Sequence, residues 1–225
     1  MVFFTFSAAD FHWPDLHNLM PHGSSLGELS EQEASTCRRQ DLIENPHITA
    51  WYFEKRFKLF FEKVLVPKWN LEDWWYRFEW QHRGSSHVHG IAKRKDALII
   101  DWDEMKNDEE VMTDVVQYLD SLVTTINPGL DASVPERHPC QKRTDELCYN
   151  LQDYVELINK LQHHTKCSSS YCLRTDRAGN QSCRFGYPKD LVVNTSLRDD
   201  NGQPELLTAR NDPLVNPHDR LQLQG

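Results

Sequence analysis

No run of about 18 apolar residues occurs in this 225-residue chain, so no segment reads as a membrane-spanning helix. The opening residues, Met1-Val2-Phe3-Phe4-Thr5-Phe6, lack the basic flank and long apolar stretch of a secretion signal. There is no G-x-x-x-x-G-K-[ST] phosphate loop, which excludes ATP hydrolysis by that route. H-E-x-x-H and G-x-S-x-G are also missing, so a zinc protease or a serine hydrolase has no signature here. Basic charge is scarce: 25 Lys and Arg against 34 Asp and Glu leave a net charge of −9. That is the wrong sign for coating nucleic acid non-specifically, because phosphate binding is driven by Lys and Arg. Any nucleic-acid reading must rest on a local site. Internal repeats, low-complexity tracts and a clear basic import run are absent as well.

What remains is 39% hydrophobic, enough to bury a core in one or two domains. Residues 3 to 7 read as a buried strand starting almost at the first residue, which suggests either a piece cut from a longer chain or an imprecise gene model. Residues 8 to 46 mix turn residues and charges and read as a meandering loop with a short helix. Asn45-Pro46 opens a helix in which Ile48, Trp51, Tyr52, Phe53, Phe57, Phe60, Phe61 and Val64 recur at near-helical spacing, and Pro67 stops it. Residues 74 to 81 and 86 to 92 are two strands joined by a turn at His82-Arg83-Gly84-Ser85. Helices are predicted over 103 to 123 and 145 to 163, with a loop at 126 to 146, a Cys/His-rich irregular segment at 164 to 190, and a polar tail to 225. The division this implies is a metal-bearing core over 1–135, a helix with a zinc-binding segment over 136–190, and the tail over 191–225.

Two histidines flank one apolar residue in His87-Val88-His89. Residues i and i+2 of a strand share a face, so both imidazoles project side by side from a rigid support. Two nitrogen donors make most of a divalent-metal site. A third ligand is available on the preceding strand, where Glu79 and Gln81 also share a face. The turn brings that strand back beside the histidines, with Gln81 the first choice and Glu79 the alternate. Such a set leaves positions open for water or a phosphate oxygen.

Five of the six cysteines fall between 140 and 183, near histidines. Without a secretion signal this favours metal ligation over disulfides. The spacing His164-x2-Cys167-x4-Cys172-x10-Cys183 supplies four ligands for a closed, structural, tetrahedral zinc site. His138 and Cys140 are alternates, and Cys148 is a weaker one. A metal-assisted nickase of the His-x-His type also needs a tyrosine nucleophile. Tyr149 and Tyr154 tempt, but five residues at about 100° each put them about 140° apart around a helix, so both read as structural.

Taken in order, these residues resemble the Helitron-like N-terminal domain. The resemblance is carried by Phe3-Phe4-Thr5-Phe6-Ser7-Ala8-Ala9-Asp10 with Trp13, by Asn45-Pro46-His47 and Trp51, and by Trp75-Tyr76-Arg77-Phe78-Glu79 with Gly84-Ser85-x-His87-x-His89-Gly90. It continues through His164-Thr165-x-Cys167, Tyr171-Cys172-Leu173-Arg174 and Cys183-Arg184-Phe185-x-Tyr187-Pro188-Lys189. The resemblance implies an α+β fold, a central antiparallel sheet flanked by helices, of the Rep type with a His-hydrophobe-His (HUH) motif. It implies metal ligation by His87, His89 and Gln81, with Mg²⁺ or Mn²⁺ polarising the scissile phosphate of single-stranded DNA. In the family a tyrosine then attacks, leaving a 5′-phosphotyrosine and a free 3′-OH, and the nuclease is joined to a helicase that acts in rolling-circle transposition in the nucleus.

The family's paired tyrosines follow a stretch resembling Asn211-Asp212-Pro213-Leu214-x-Asn216-Pro217, and this sequence ends at Gly225. The expectation is therefore a Helitron fragment that binds metal and single-stranded DNA but does not cleave alone. The rival expectation is a non-catalytic, zinc-stabilised nucleic-acid-binding or interaction module from a decayed or co-opted element.

Overall fold

The computed structural model describes residues 1–80, 85–165 and 167–225, without the side chain of Thr144. It is an α+β protein whose antiparallel sheets are small. Two compact units interleave in sequence: Met1–Ala97 with Arg137–Cys148, and Leu98–Glu136 with Tyr149–Gly225. The sequence reading instead divides the chain at 135 and 190.

The first unit is built on β1 (Val2–Ser7), β2 (Leu71–Trp80) and β3 (Ser86–Arg94), in the order β1-β3-β2 with both pairings antiparallel. Between β1 and β2 come α1 (Pro14–His17), α2 (Glu31–Glu44), α3 (Pro46–Phe60), a π turn (Phe61–Leu65) and α4 (Val66–Lys68). Helix α3 opens with Pro46 in its first turn, where a missing N–H costs nothing. Its buried stripe is Thr49, Phe53, Phe57, Phe61 and Leu65, a spacing of four that continues through the π turn. Trp51 points outward and is 54% exposed. Pro67 lies inside the last turn, and the helix ends at Lys68.

Segment 8–46 is more ordered than a meandering loop. Helix α2 runs for 14 residues behind a capping box, in which Ser30 Oγ accepts from the Glu33 amide and the Glu33 carboxylate accepts from the Ser30 amide at 3.0 Å. The fully buried Asp41 carboxylate accepts from His22 Nδ1 at 2.6 Å, tying the preceding loop to this helix. Few of the helix's residues are apolar, and this is why hydrophobic spacing does not reveal it.

The sheet's inner face meets α3 through aromatic rings. Phe4 lies 5.2 Å from Phe61, Phe57 lies 5.0 Å from Tyr76 and 5.7 Å from Phe78, and Phe6 lies 5.4 Å from Phe57. Along β3, Ser86, Val88, Gly90 and Ala92 are buried in strict alternation with the outward residues. Gly90 is required here, because a Cβ would stand 2.3 Å from Phe4 Cζ and 2.8 Å from the Trp75 carbonyl oxygen.

The second unit contains α5 (Trp102–Met105), α6 (Glu109–Asp120) and α7 (Leu151–Leu157), the last extended by a π turn (Ile158–Gln162). The helix expected over 103–123 is thus broken, because Asp101 and Asp108 each cap a separate N-terminus. The helix expected from 145 starts only at Leu151, capped by Asn150. Two hairpins follow, β4 (Leu173–Thr175) with β5 (Gln181–Cys183), and β6 (Ser196–Asp200) with β7 (Gln203–Leu207). The chain closes with α8 (Arg220–Gln224). The polar tail is therefore structured, and Val215 is fully buried against Tyr154 and Ile158. Among the described residues, no helix is long and apolar enough to cross a membrane.

Candidate metal centres

The first centre lies on the outward face of the three-stranded sheet. Strand alternation places His87 and His89 on that face, with ring centroids 6.1 Å apart and planes within 10°. In register, His87 stands between Ser7 and Glu79, and His89 between Thr5 and Arg77. The Ser7 hydroxyl is 3.1 Å from His87 Nδ1, a contact that helps fix the ring. Glu79 Oε2 is 3.5 Å from His89 Nε2, and Arg77 bonds Glu79 from the same strand. Two imidazoles and a carboxylate thus lie on one face of the sheet, with His89 and Glu79 each a little over one-third exposed. Glu79 comes into contact range of His89 and stands opposite His87 in the register. Gln81 lies outside the described residues. Ser7 and Arg77 were not foreseen as site residues; alternation puts each on a strand face, but only the strand register brings them to the histidines.

The second centre is the cluster His164, Cys167, Cys172 and Cys183, whose ligand atoms all lie within 4.8 Å of one another. His164 Nε2 is 3.1 Å from Cys167 Sγ and 3.4 Å from Cys183 Sγ. Edges of a tetrahedral zinc–thiolate site are roughly 3.5–3.8 Å, so the four atoms are already gathered at nearly the right separations. Hairpin β4–β5 supplies the frame: Leu173 pairs with Cys183, and the Ser168 amide donates to Cys172 Sγ at 3.4 Å. The His164 ring stacks on Tyr187 at 4.6 Å.

Crowding couples the thiols. Desolvation, then hydrogen bonds that the Cys167 thiol donates to Cys172 and Cys183, push it up to about 11. Desolvation also acts on Cys183, but backbone amides of Tyr187 and Phe185 outweigh it and hold that thiol below its ordinary value. This cluster can hold a metal such as zinc.

His138 and Cys140, the alternates for this site, belong to the first unit instead. There His138 Nδ1 accepts from the Cys140 amide at 3.3 Å, and its ring stacks on His12 at 3.6 Å. Burial raises the Cys140 thiol. Cys148, the weaker substitute, is exposed and is not one of the four ligands.

The tyrosines need a correction. Tyr149 does not share a helix with Tyr154: it precedes the Asn150 cap, with φ of 52°, and is exposed. Tyr154 is buried, and its hydroxyl is 2.7 Å from His218 Nε2. Since His218 Nδ1 lies 3.0 Å from the Asn216 carbonyl oxygen, Nδ1 donates there and Nε2 accepts from the tyrosine.

The stretch 211–217 is held by a buried polar network unseen in the sequence. Asn127 Nδ2 donates to Asn159 Oδ1 at 2.8 Å and to Asp212 Oδ2 at 3.2 Å, while His163 Nε2 is 2.8 Å from that same oxygen. The Asn211 and Asn127 amides close a reciprocal pair at 2.8 Å. Tyr187 donates to Asn216 Oδ1 at 2.7 Å, and the His164 amide donates to the Leu214 carbonyl, so the Cys/His cluster is fastened to this stretch.

Residues 1–92 match the family model described as the Helitron helicase-like domain at N-terminus. Over these 92 residues the chain is similar to the Helitron-like N-terminal domain. The match ends just beyond His87-Val88-His89 and contains all of β1, β2 and the histidine pair of the first centre. No curated protein and no solved structure matches the chain.

Proposed function

We propose that this chain is the metal-bearing part of a Helitron HUH endonuclease, which nicks and rejoins single-stranded DNA in the nucleus during rolling-circle transposition. The observation that carries the reading is the parallel pair His87 and His89 with Glu79 beside it, inside the Helitron-like span. His87, His89 and an oxygen from Glu79 or Gln81 would hold Mg²⁺ or Mn²⁺. When bound, such an ion supplies Lewis-acid polarisation of the scissile phosphate. Ser7 orients His87 through Nδ1, and Arg77 adds a cation on the same face for a neighbouring phosphate oxygen.

The nucleophile comes from elsewhere in this reading. Tyr154 is committed to His218 in the core of the second unit, and the resemblance puts the family's paired tyrosines after a stretch like 211–217. In this reading the polypeptide binds metal and DNA. The test is fluorescence anisotropy with labelled single-stranded DNA, with and without Mn²⁺, beside a search for covalent adducts. Mn²⁺ should raise affinity in the parent and not in His87→Ala. A covalent adduct on this chain alone would show that one of its own tyrosines attacks.

A second reading has its own support in the Cys/His cluster. As a zinc-stabilised binding module from a decayed or co-opted element, the chain would bind nucleic acid equally well with and without Mn²⁺, and His87→Ala would change nothing.

A further inference from the structure

The Cys/His segment carries more than its four ligands. Residues 164–190 contain five Lys or Arg and only two Asp, an excess of basic charge inside a chain of net charge −9. Arg174, Arg177, Arg184 and Lys189 are all exposed, and among the described residues none of them pairs with a carboxylate. Tyr171 and Phe185 are 60% and 40% exposed, with ring centroids 5.8 Å apart. The Arg184 guanidinium stands over both rings, at 5.0 Å from Tyr171 and 4.5 Å from Phe185.

Packing does not account for this arrangement. Two large rings left in water forgo burial. Tyr171 adjoins the fully buried Cys172, and Phe185 follows Cys183 by two residues. Metal at the cluster would fix both ring positions from below. Arg174 extends from the facing strand of the hairpin, opposite Ser182.

We infer that the Cys/His segment bears a binding surface for single-stranded nucleic acid, in which Tyr171 and Phe185 stack unpaired bases while Arg184, Arg174 and Lys189 contact the phosphates. Every base has a π face, so ring stacking is sequence-tolerant, and it requires bases that are not already paired. Guanidinium groups supply both phosphate contacts and stacking planes. The overall acidic charge of the chain opposes non-specific phosphate binding, so binding rests on this local basic surface. The surface is distinct from the histidine pair and does not depend on Mg²⁺ or Mn²⁺.

The test uses the full zinc-loaded chain, without Mg²⁺ or Mn²⁺, and a fluorescent 12-nucleotide oligothymidylate read by anisotropy. Tyr171→Ala and Arg184→Ala should each weaken binding about tenfold while bound zinc stays unchanged. Equal affinity in parent and variants would overturn the inference. So would competition by a poly-glutamate peptide as effective as that by unlabelled oligonucleotide, since that marks a general anion surface. A second measurement needs no variant: photocrosslinking of an iodouridine oligonucleotide to the parent chain should label peptides spanning 171–185. Labelling confined to other peptides would equally overturn it.

Discussion

His89 Nε2 and Glu79 Oε2 stand 3.5 Å apart across the β2–β3 pair, on the diagonal of a register that sets Glu79 opposite His87 and Arg77 opposite His89. The carboxylate on this diagonal is also bonded by Arg77 from the same strand. The relationship makes Glu79 a competitor with Gln81 for the third ligand, and separates the two experimentally.

Mn²⁺ titration followed by electron paramagnetic resonance should show a site lost in His87→Ala and His89→Ala. Glu79→Gln should weaken Mn²⁺ about 10- to 100-fold if Glu79 ligates or orients a ligand. An unchanged affinity in Glu79→Gln, with loss in Gln81→Ala, would return the third position to Gln81.

Zinc loading should depend on pH in a fixed direction. The ligands bind as thiolates and neutral imidazole, while the Cys167 proton is held to about 11 in the metal-free cluster. Binding therefore releases protons, and affinity falls as pH falls. Metal analysis should find about one zinc per chain, lost in Cys167→Ser, with proton release visible in calorimetry across buffers of different ionisation enthalpy. A pH-independent affinity would contradict thiolate ligation.

Gly90→Ala should destabilise the first unit by about 1–3 kcal/mol, the usual cost of forcing added volume into a packed core. The new Cβ meets both a ring, which can shift, and the Trp75 carbonyl, which cannot without moving β2. Since β2 carries Glu79, Mn²⁺ affinity should fall together with the denaturation midpoint. A normal midpoint with normal Mn²⁺ binding would show that the strands tolerate the intrusion.

Acid should weaken the fold first through two histidines. Burial lowers the pKa of both His17 and His218, so their neutral forms are the folded ones. The stability they contribute is complete above the unfolded value of about 6.5 and is lost as pH falls through the lower folded values. Asp212 continues the trend at lower pH: burial opposes its charge, but bonds from Leu214, Asn127 and His163 outweigh this and lower its pKa. Melting temperature should drop between pH 7.5 and 5, with a smaller drop in His218→Gln. A flat profile over that interval would rule out the histidine contribution.

Removing the Asn127 side chain should cost about 1–3 kcal/mol, because Asn159, Asp212 and the Gly129 amide each lose a buried partner. The measurement is chemical denaturation of Asn127→Ala against Asp212→Asn, which keeps the shape and should cost less.

Several features were decided by the sequence alone. Alternation along 86–94 sets which residues of β3 are buried, and it commits His87 and His89 to one face whatever the strand pairs with. The fourfold spacing of Phe53, Phe57 and Phe61 fixes the buried stripe of α3, and the spacing of one histidine and three cysteines points to a metal cluster. These are local periodicities, and the chain's own geometry enforces them. Tertiary structure decided the rest. Strand register selected Ser7, Arg77 and Glu79 as neighbours of the histidines, and a polar helix capped by Ser30 emerged where hydrophobic spacing shows nothing. Tyr154 was withdrawn into a bond with His218, 64 residues away, and Asn127 became a hub for residues 32 and 85 positions distant. Such contacts depend on which distant polar groups must satisfy one another once water is excluded, and no local pattern records that choice.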